Sequence, residues 1–223
     1  MKIKMLSKVS FLKGINKLFS YTPTLSISGE SGTGKTTLAL FLVGNCLNHE
    51  EQCIWIQASE MFPIKRLNQI FEATPDKLQY IKENIFILPQ SHVVHTYQEQ
   101  CGIFQSLLSD ETVLPPNLKF IVIDNISHHL RYEISQLSNI SLVSKTMDEF
   151  YEYYLMPLIV LCKRNSITLL LIHEVTFDPG TSQTRPFFFK LYDRLNTIKI
   201  VLNNRINSFK KIIHISIDRK SVV

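Results

Sequence analysis

The residues with the clearest chemical potential form a glycine-rich stretch near the amino terminus. It contains two glycines separated by four residues and followed directly by Lys and Thr, the pattern of a phosphate-binding loop. The backbone N–H groups of such a loop surround a phosphate chain, and the following helix adds partial positive charge. The spacing therefore predicts ATP as ligand, Lys35 at its β- and γ-phosphates, and the hydroxyl of Thr36 on Mg²⁺. The predicted loop consists of Gly29, Glu30, Ser31, Gly32, Thr33, Gly34, Lys35, Thr36 and Thr37.

Acidic residues follow other predicted strands, where parallel strands end at one edge of a sheet. Asp124 ends an apolar run and is predicted to order Mg²⁺ through water, or alternatively to cap the next turn. Glu60 follows the second predicted strand and is predicted to act as general base on the attacking water. The alternative for Glu60 is a helix-start carboxylate favoured by the helix dipole. His173 and Glu174 end a later strand and are predicted to sense the γ-phosphate.

Buried strands alternate with helices along the chain, which is typical of an α/β fold with a mostly parallel sheet covered on both faces. A carboxyl-terminal antiparallel hairpin is predicted from two alternating runs, residues 197–202 and 211–217. Residues 127–145 and 177–185 are polar and receive no assignment. Residues 1–223 are predicted to form a single domain. The predicted strands are 25–28, 53–58, 84–89, 120–124 and 167–172, and the predicted helices begin at 38 and near 63 and span 97–108 and 147–163.

The amino-acid composition limits the class of protein and its cellular compartment, but it does not identify a binding partner. Among the 223 residues, 45 % are hydrophobic, enough for a sizeable core, and the net charge of +5 is compatible with nucleic acid. The four cysteines show no paired metal spacing, which indicates reduced, buried thiols and a cytoplasmic protein. Neither a signal peptide nor an apolar run of membrane-spanning length is found, so no membrane partner is expected. The seven scattered histidines favour structural roles over metal binding.

The order of these motifs resembles the RecA-type recombinase ATPases, and within them most closely the core-only archaeal RadB proteins. Residues 10–19 resemble the segment that opens the family's ATPase core, and Ser59-Glu60 through Leu67 resemble the stretch with the water-activating Glu. The stretch that starts at Asp124 resembles the one leading into the first DNA-facing loop. The resemblance implies a RecA-like ATPase core and DNA contacts from Arg131 in the first loop and Arg185 in the second. It also implies that Arg219 and Lys220 meet DNA or a neighbouring subunit's nucleotide. The alternative for each of these four residues is a solvated surface charge.

Three departures from the family pattern affect the functional prediction. The usual Asn-Gln pair is replaced by His173 and Glu174, and an ionised Glu can only accept hydrogen bonds and would repel a γ-phosphate. Glu at this place resembles the KaiC-type branch of the superfamily. Asn125 replaces a Ser. Three Phe residues at 187–189 replace glycines, and they are interpreted as a base-stacking platform, an intersubunit contact or core packing of alternate side chains. A core that starts near residue 1, with a short second loop, favours an accessory paralogue.

Three functional hypotheses remain open from the sequence. The first is a weak, DNA-associated ATPase that assists homologous recombination and repair, with single-stranded DNA and a recombinase or other repair protein as partners. The second is a KaiC-like signalling ATPase that acts through protein partners. The third is a binding module in which ATP is only a conformational ligand. Self-association is implied by the resemblance, because RecA-type proteins commonly complete their nucleotide site from a neighbouring subunit.

Overall fold

The computed structural model shows one seven-stranded sheet with helices packed on both of its faces. It describes residues 22–178, 180, 183–189, 195, 197–204 and 211–217, together with residues 12, 14, 15, 17 and 19. Arg219 and Lys220, and half of the predicted opening segment 10–19, lie outside the described residues.

The nine described strands, numbered along the chain, are β1 (Thr24–Gly29), β2 (Gln52–Gln57), β3 (Ile85–Leu88), β4 (Leu118–Asp124), β5 (Thr168–His173), β6 (Val175–Asp178), β7 (Gln183–Pro186), β8 (Ile198–Asn204) and β9 (Lys211–Ile217). The helices longer than one turn are α1 (Lys35–Cys46), α2 (Ile64–Phe71), α3 (Pro75–Asn84), α4 (Tyr97–Leu108), α5 (His128–Ser135), α6 (Ile140–Phe150) and α7 (Met156–Arg164).

The sheet order is β3-β2-β4-β5-β1-β8-β9, and every neighbouring pair is parallel except β8 with β9. Strands β1, β2, β4 and β5 therefore end at the same edge of the sheet. The residues that follow these ends are the loop at Gly29, Glu60 after β2, Asp124 on β4 and Glu174 after β5. The topology gathers the predicted site at one edge, as parallel strand ends require.

The core is divided by the sheet into two layers of apolar side chains, because successive strand residues face opposite sides. On β2, Trp55 faces the layer that packs against α1, α2 and α3, whereas Ile54 and Ile56 face the layer against α4, α5 and α7. Central strands β1 and β5 are buried along their whole length, as expected for strands covered on both faces.

The predicted fold class is confirmed, including the mostly parallel sheet and the carboxyl-terminal hairpin of β8 and β9. Helix α4 has the predicted bounds, and α2 begins one residue after Pro63. The helix predicted at 147–163 is longer than expected and runs from Ile140 to Arg164. The π-helical turn Tyr151–Leu155 interrupts it between α6 and α7. Pro157 follows that turn and has no N–H to donate, which removes one helical hydrogen bond there.

Regular structure in three segments of the chain was not predicted from the sequence. Helix α3 begins with Pro75 at its first turn, a position that suits proline, and buries Ile81. Helix α5 and the start of α6 occupy the unassigned segment 127–145, and the antiparallel pair β6 and β7 occupies the unassigned segment 177–185 with its flanks. These elements carry few apolar residues, because their polar faces meet solvent or the site.

All four cysteines are buried and unpaired, as the sequence predicts. Burial raises the pKa of Cys46 and Cys101 to about 11 and that of Cys162 to about 12. Their thiols therefore stay protonated at neutral pH. In the part of the chain that the structure describes, no helix combines the length and apolar character needed to cross a bilayer.

Candidate functional site

The glycine-rich loop turns between β1 and α1 with left-handed backbone at Gly32 (φ 74°) and Gly34 (φ 95°). Glycine adopts these angles without the steric cost that a Cβ would bring. At Gly29 a Cβ would lie 2.5 Å from the carbonyl oxygen of Leu202 and 2.7 Å from Oγ1 of Thr33. The loop therefore needs glycine at Gly29 for space and at Gly32 and Gly34 for conformation.

Lys35 folds back over this loop from the first turn of α1. Its Nζ donates to the carbonyl oxygens of Gly29 at 2.8 Å and Glu30 at 2.9 Å. Burial lowers the pKa of Lys35, while the carboxylates of Asp124, Glu174 and Glu60 act in the opposite direction. The ammonium group thus faces three carboxylates across the site.

Thr36 and Asp124 join the loop to the end of β4. The hydroxyl of Thr36 donates to Oδ2 of Asp124 at 2.9 Å. Burial raises the pKa of Asp124 to about 6, against the opposing effects of the Thr36 hydrogen bond and the positive charge of Lys35. A hydroxyl and a carboxylate held together are hard oxygen donors of the kind that Mg²⁺ takes.

Glu60 lies in the connection from β2 to α2 and lines the same cavity as the loop. Two buried side chains anchor this connection. Gln57 Oε1 accepts from the backbone N–H of Phe62 at 2.8 Å, and the ring Nε2 of His129 lies 2.6 Å from the carbonyl oxygen of Ala58. Neither Gln57 nor His129 was singled out from the sequence, since their roles depend on packing between separate elements.

Glu174 is the most extensively hydrogen-bonded carboxylate among the described site residues. Its Oε1 accepts from the Asn125 amide at 3.0 Å and lies 3.3 Å from Nδ1 of His128. Its Oε2 accepts from the Arg131 guanidinium at 2.9 Å. Burial opposes ionisation of Glu174, but the bonds from these donors outweigh it and hold its pKa below the usual value.

His173 does not share the cavity with Glu174. Its side chain is fully buried and is absent from the cavity lining, because it faces the opposite side of β5 from Ile172 and Glu174. Burial lowers the pKa of His173 to about 3, with a smaller contribution from Lys199. Of the two predicted γ-phosphate sensors, only Glu174 is in position to meet a ligand.

The two arginines expected in flexible loops both lie on regular elements, so that part of the prediction is wrong. Arg131 is in α5, where Glu174 binds it and the ring of Phe187 lies 5.0 Å away. Arg185 is on β7, with its Nε 3.3 Å from Asp178 Oδ2. Local sequence pattern could not show these contacts, because each partner comes from another element or strand.

Of the three Phe residues after β7, one packs in the core and two contact arginines of the same chain. Phe188 packs against the core layer under α4 to α7. The rings of Phe187 and Phe189 lie against the Arg131 and Arg185 guanidinium groups, at 5.0 and 4.6 Å respectively. The flanking rings are therefore occupied by cation–π contacts within the chain.

One open cavity of about 770 Å³ unites the loop with these side chains. Six of its lining residues were not predicted as site residues: Ser59, Arg66, Asn125, His128, Ile172 and Val175. Arg66 lies in the first turn of α2, and its positive charge acts against the raised pKa of Asp124. Beyond the glycine-rich loop, the cavity is lined by Ser59, Glu60, Arg66, Asp124, Asn125, His128, Arg131, Ile172, Glu174 and Val175.

The residues present fit the groups predicted from the sequence. The cavity beside Gly32 and Gly34, together with the Lys35 ammonium, suits a phosphate chain at the start of α1. Thr36 and Asp124 would hold Mg²⁺, with the remaining ligands supplied by phosphate and water. Among the described residues, no group of three or more His, Cys, Asp or Glu side chains forms a metal site by itself.

The fold and the edge that carries this loop are consistent with a RecA-like α/β core. The chain is similar to the DNA repair protein RAD57 of Saccharomyces cerevisiae, with 27 % identity over 142 residues. That alignment covers 57 % of this chain and 27 % of RAD57, so the chain matches about a quarter of its relative's length. No family model matches the chain. The similarity supports a relation to RecA-like proteins and is not specific to the RadB branch.

Proposed function

We propose that this chain is a RecA-like, ATP-binding protein with weak, DNA-associated ATPase activity that assists recombination and DNA repair. The observation that carries the proposal is one cavity containing Lys35, the Thr36–Asp124 pair and Glu60. The similarity to a protein named for DNA repair supports the setting. We also propose that the chain belongs to the RadB-like branch of these proteins and that it is cytoplasmic.

The proposed roles follow from the geometry. Lys35 neutralises the β- and γ-phosphates, and Thr36 with Asp124 holds Mg²⁺, which polarises the phosphate oxygens when bound. Glu60 accepts a proton from water at its exposed carboxylate, while Gln57 and His129 fix the connection that carries it. Low turnover is expected because Glu60 itself is exposed rather than held by the described neighbours.

The experiment is turnover of Mg²⁺–ATP by the purified chain, titrated with single-stranded and double-stranded DNA. Lys35→Ala serves as the blank, and Glu60→Gln tests the proton acceptor. We expect Glu60→Gln to bind ATP like the wild type and to lose turnover by about a hundredfold, the usual scale of general-base removal. Equal turnover in wild type and Glu60→Gln would instead favour a module in which ATP is only a conformational ligand.

A second candidate function is a signalling ATPase that acts through a protein partner. It is favoured because Arg131 and Arg185, the two arginines expected to contact DNA, both form ion pairs within the chain. Arg131 is bound to Glu174 and Arg185 to Asp178, so neither side chain is presented as an unpaired cation. ATPase activity that DNA leaves unchanged, with no DNA binding at low salt, would support this candidate. ATP-dependent self-association, measured by light scattering, tests whether a neighbouring subunit joins the site.

A further inference from the structure

Glu174 places a negative charge in the cavity in which we propose that a triphosphate binds. It lines the cavity with the glycine-rich loop, and its charge acts on the Lys35 ammonium. In phosphate-binding loops of this pattern the Lys reaches the β- and γ-phosphates. A carboxylate that faces Lys35 in this cavity would repel a triphosphate more than a diphosphate, because the triphosphate reaches further and carries more negative charge.

Arg131 is held against this carboxylate from two sides. Its guanidinium donates to Glu174 Oε2 at 2.9 Å and lies over the ring of Phe187. The backbone N–H of Phe187 donates in turn to the carbonyl oxygen of Glu174 at 2.8 Å. One hydrogen-bonded unit therefore fixes both partners of the ion pair, so Arg131 is positioned rather than freely rotating.

The charges that line the cavity balance within the described residues. Three are basic, Lys35, Arg66 and Arg131, and three are acidic, Glu60, Asp124 and Glu174. Without Arg131, the acidic groups would outnumber the basic ones on the side of the cavity where β5 ends. The resulting repulsion would weaken binding most for the ligand with the most negative charge at that side of the cavity.

We propose that Arg131 neutralises Glu174 and thereby allows a nucleoside triphosphate, rather than only a diphosphate, to bind in this cavity. The inference rests on the proposed ATP-binding function and adds a charge-compensating, positioning role for an arginine that the resemblance assigned to DNA. Arg131 acts through Glu174 and need not contact the phosphate.

The test is a double-variant cycle of nucleotide affinity. Fluorescent ATP and ADP analogues are titrated with Mg²⁺ into wild type, Arg131→Met, Glu174→Gln and the double variant, at one low ionic strength. We expect Arg131→Met to weaken ATP binding about tenfold and ADP binding less than about twofold, because an uncompensated carboxylate faces the terminal phosphate. The double variant is expected to bind ATP within about threefold of Glu174→Gln alone, since no uncompensated charge remains.

The rescue separates charge compensation from the other roles of Arg131. If the double variant binds ATP as weakly as Arg131→Met, Arg131 contacts the phosphate directly and the inference is wrong. It is equally wrong if Arg131→Met weakens ATP and ADP alike, which indicates structural damage, or leaves both unchanged. Thermal melts of each ligand-free variant show whether it is folded.

Arg164→Met is the matched control, because Arg164 is exposed at the end of α7, before β5 begins and therefore far from the cavity edge. It should leave both affinities unchanged. If the wild type binds neither nucleotide, the proposed function fails and this inference with it. If the wild type binds both and Arg131→Met matches it, only the inference fails.

Discussion

The hydroxyl of Thr36, in the first turn of α1, donates to the carboxylate of Asp124, 88 residues further along the chain. This bond ties the glycine-rich loop to the end of β4 and places two oxygen ligands side by side. Burial raises the pKa of Asp124 from 3.8 to about 6. Ionisation of Asp124 is therefore favoured by any positive charge that lies against its carboxylate.

The first prediction concerns Asp124 and pH. Because its folded-state pKa is raised, its contribution to stability is fully present below pH 3.8 and is lost as the pH rises through about 6. Asp124→Asn keeps the shape without the charge, so it should be more stable than wild type at pH 7 by about 2–3 kcal/mol. Urea unfolding in EDTA, without nucleotide, measures this difference across pH 4 to 8.

That stability difference should shrink towards zero at acid pH, since Asp124 is then neutral in both folded and unfolded chains. Adding Mg²⁺ with ATP should stabilise the wild type more than the variant. A constant difference across the pH range would show that burial does not oppose ionisation of Asp124.

The second prediction concerns His173, whose contribution to the free energy of unfolding should have the opposite pH dependence. Burial lowers its pKa from 6.5 to about 3. Between these pH values, His173 is protonated in the unfolded chain and neutral in the folded chain. Its contribution is complete above pH 6.5 and is lost as the pH falls, by about 2 kcal/mol at pH 5. His173→Gln should flatten the loss of stability between pH 7 and 5, measured by chemical unfolding. Parallel profiles for variant and wild type would contradict this role for His173.

Two helical glycines should respond in opposite directions to the same substitution. A Cβ at Gly44 in α1 would overlap the ring of Phe71 and lie 2.8 Å from Cδ1 of Ile81, whereas a Cβ at Gly102 in α4 would meet nothing within 4 Å. Gly44→Ala should destabilise the chain by about 1–3 kcal/mol through overpacking. Gly102→Ala should stabilise it by up to about 1 kcal/mol through helix propensity. Thermal unfolding of the pair checks both signs, and an unchanged or raised melting temperature for Gly44→Ala would contradict the described packing of α1 against α2 and α3.

The sequence was sufficient to predict the sheet edge and the loop, because these follow from local pattern. Glycine spacing predicts the loop, and an apolar run ending in Asp124 predicts the strand end that faces it. Parallel strand ends must share an edge, so Glu60 and Glu174 could be placed near the loop without coordinates.

The charge pairing around Glu174 could not be predicted in the same way. Arg131 is 43 residues away in sequence and meets Glu174 only because α5 packs beside the end of β5. The segment that forms α5 is polar and has no strong periodicity, since one of its faces lines the cavity and another meets solvent. Because the segment shows no helical pattern, the resemblance led to the prediction that Arg131 lies in a loop, whereas it lies in α5. Similarly, the burial of His173 depends on strand register, which fixes the face of β5 that each side chain occupies.

The last prediction concerns Arg185, whose Nε lies 3.3 Å from Asp178 across the β6–β7 pair. Asp178→Asn removes the carboxylate charge but keeps an oxygen that can accept the Gly180 N–H, bonded to Asp178 at 3.0 Å. If the chain binds single-stranded DNA through this hairpin, releasing Arg185 should tighten binding by about threefold at low salt and steepen its salt dependence. Fluorescence anisotropy with a labelled oligonucleotide measures both quantities.

Asp110→Asn provides the control for net charge, because Asp110 is exposed in the connection before β4, at the sheet edge away from the site. A general gain of positive charge would tighten DNA binding equally in both variants, whereas release of Arg185 affects only Asp178→Asn. Adding Arg185→Met to Asp178→Asn should remove the gain, since the guanidinium is then absent. Equal effects at the two aspartates, or a gain that survives loss of Arg185, would place the DNA contact elsewhere on the molecule and leave Arg185 as a partner of Asp178 and Phe189 alone.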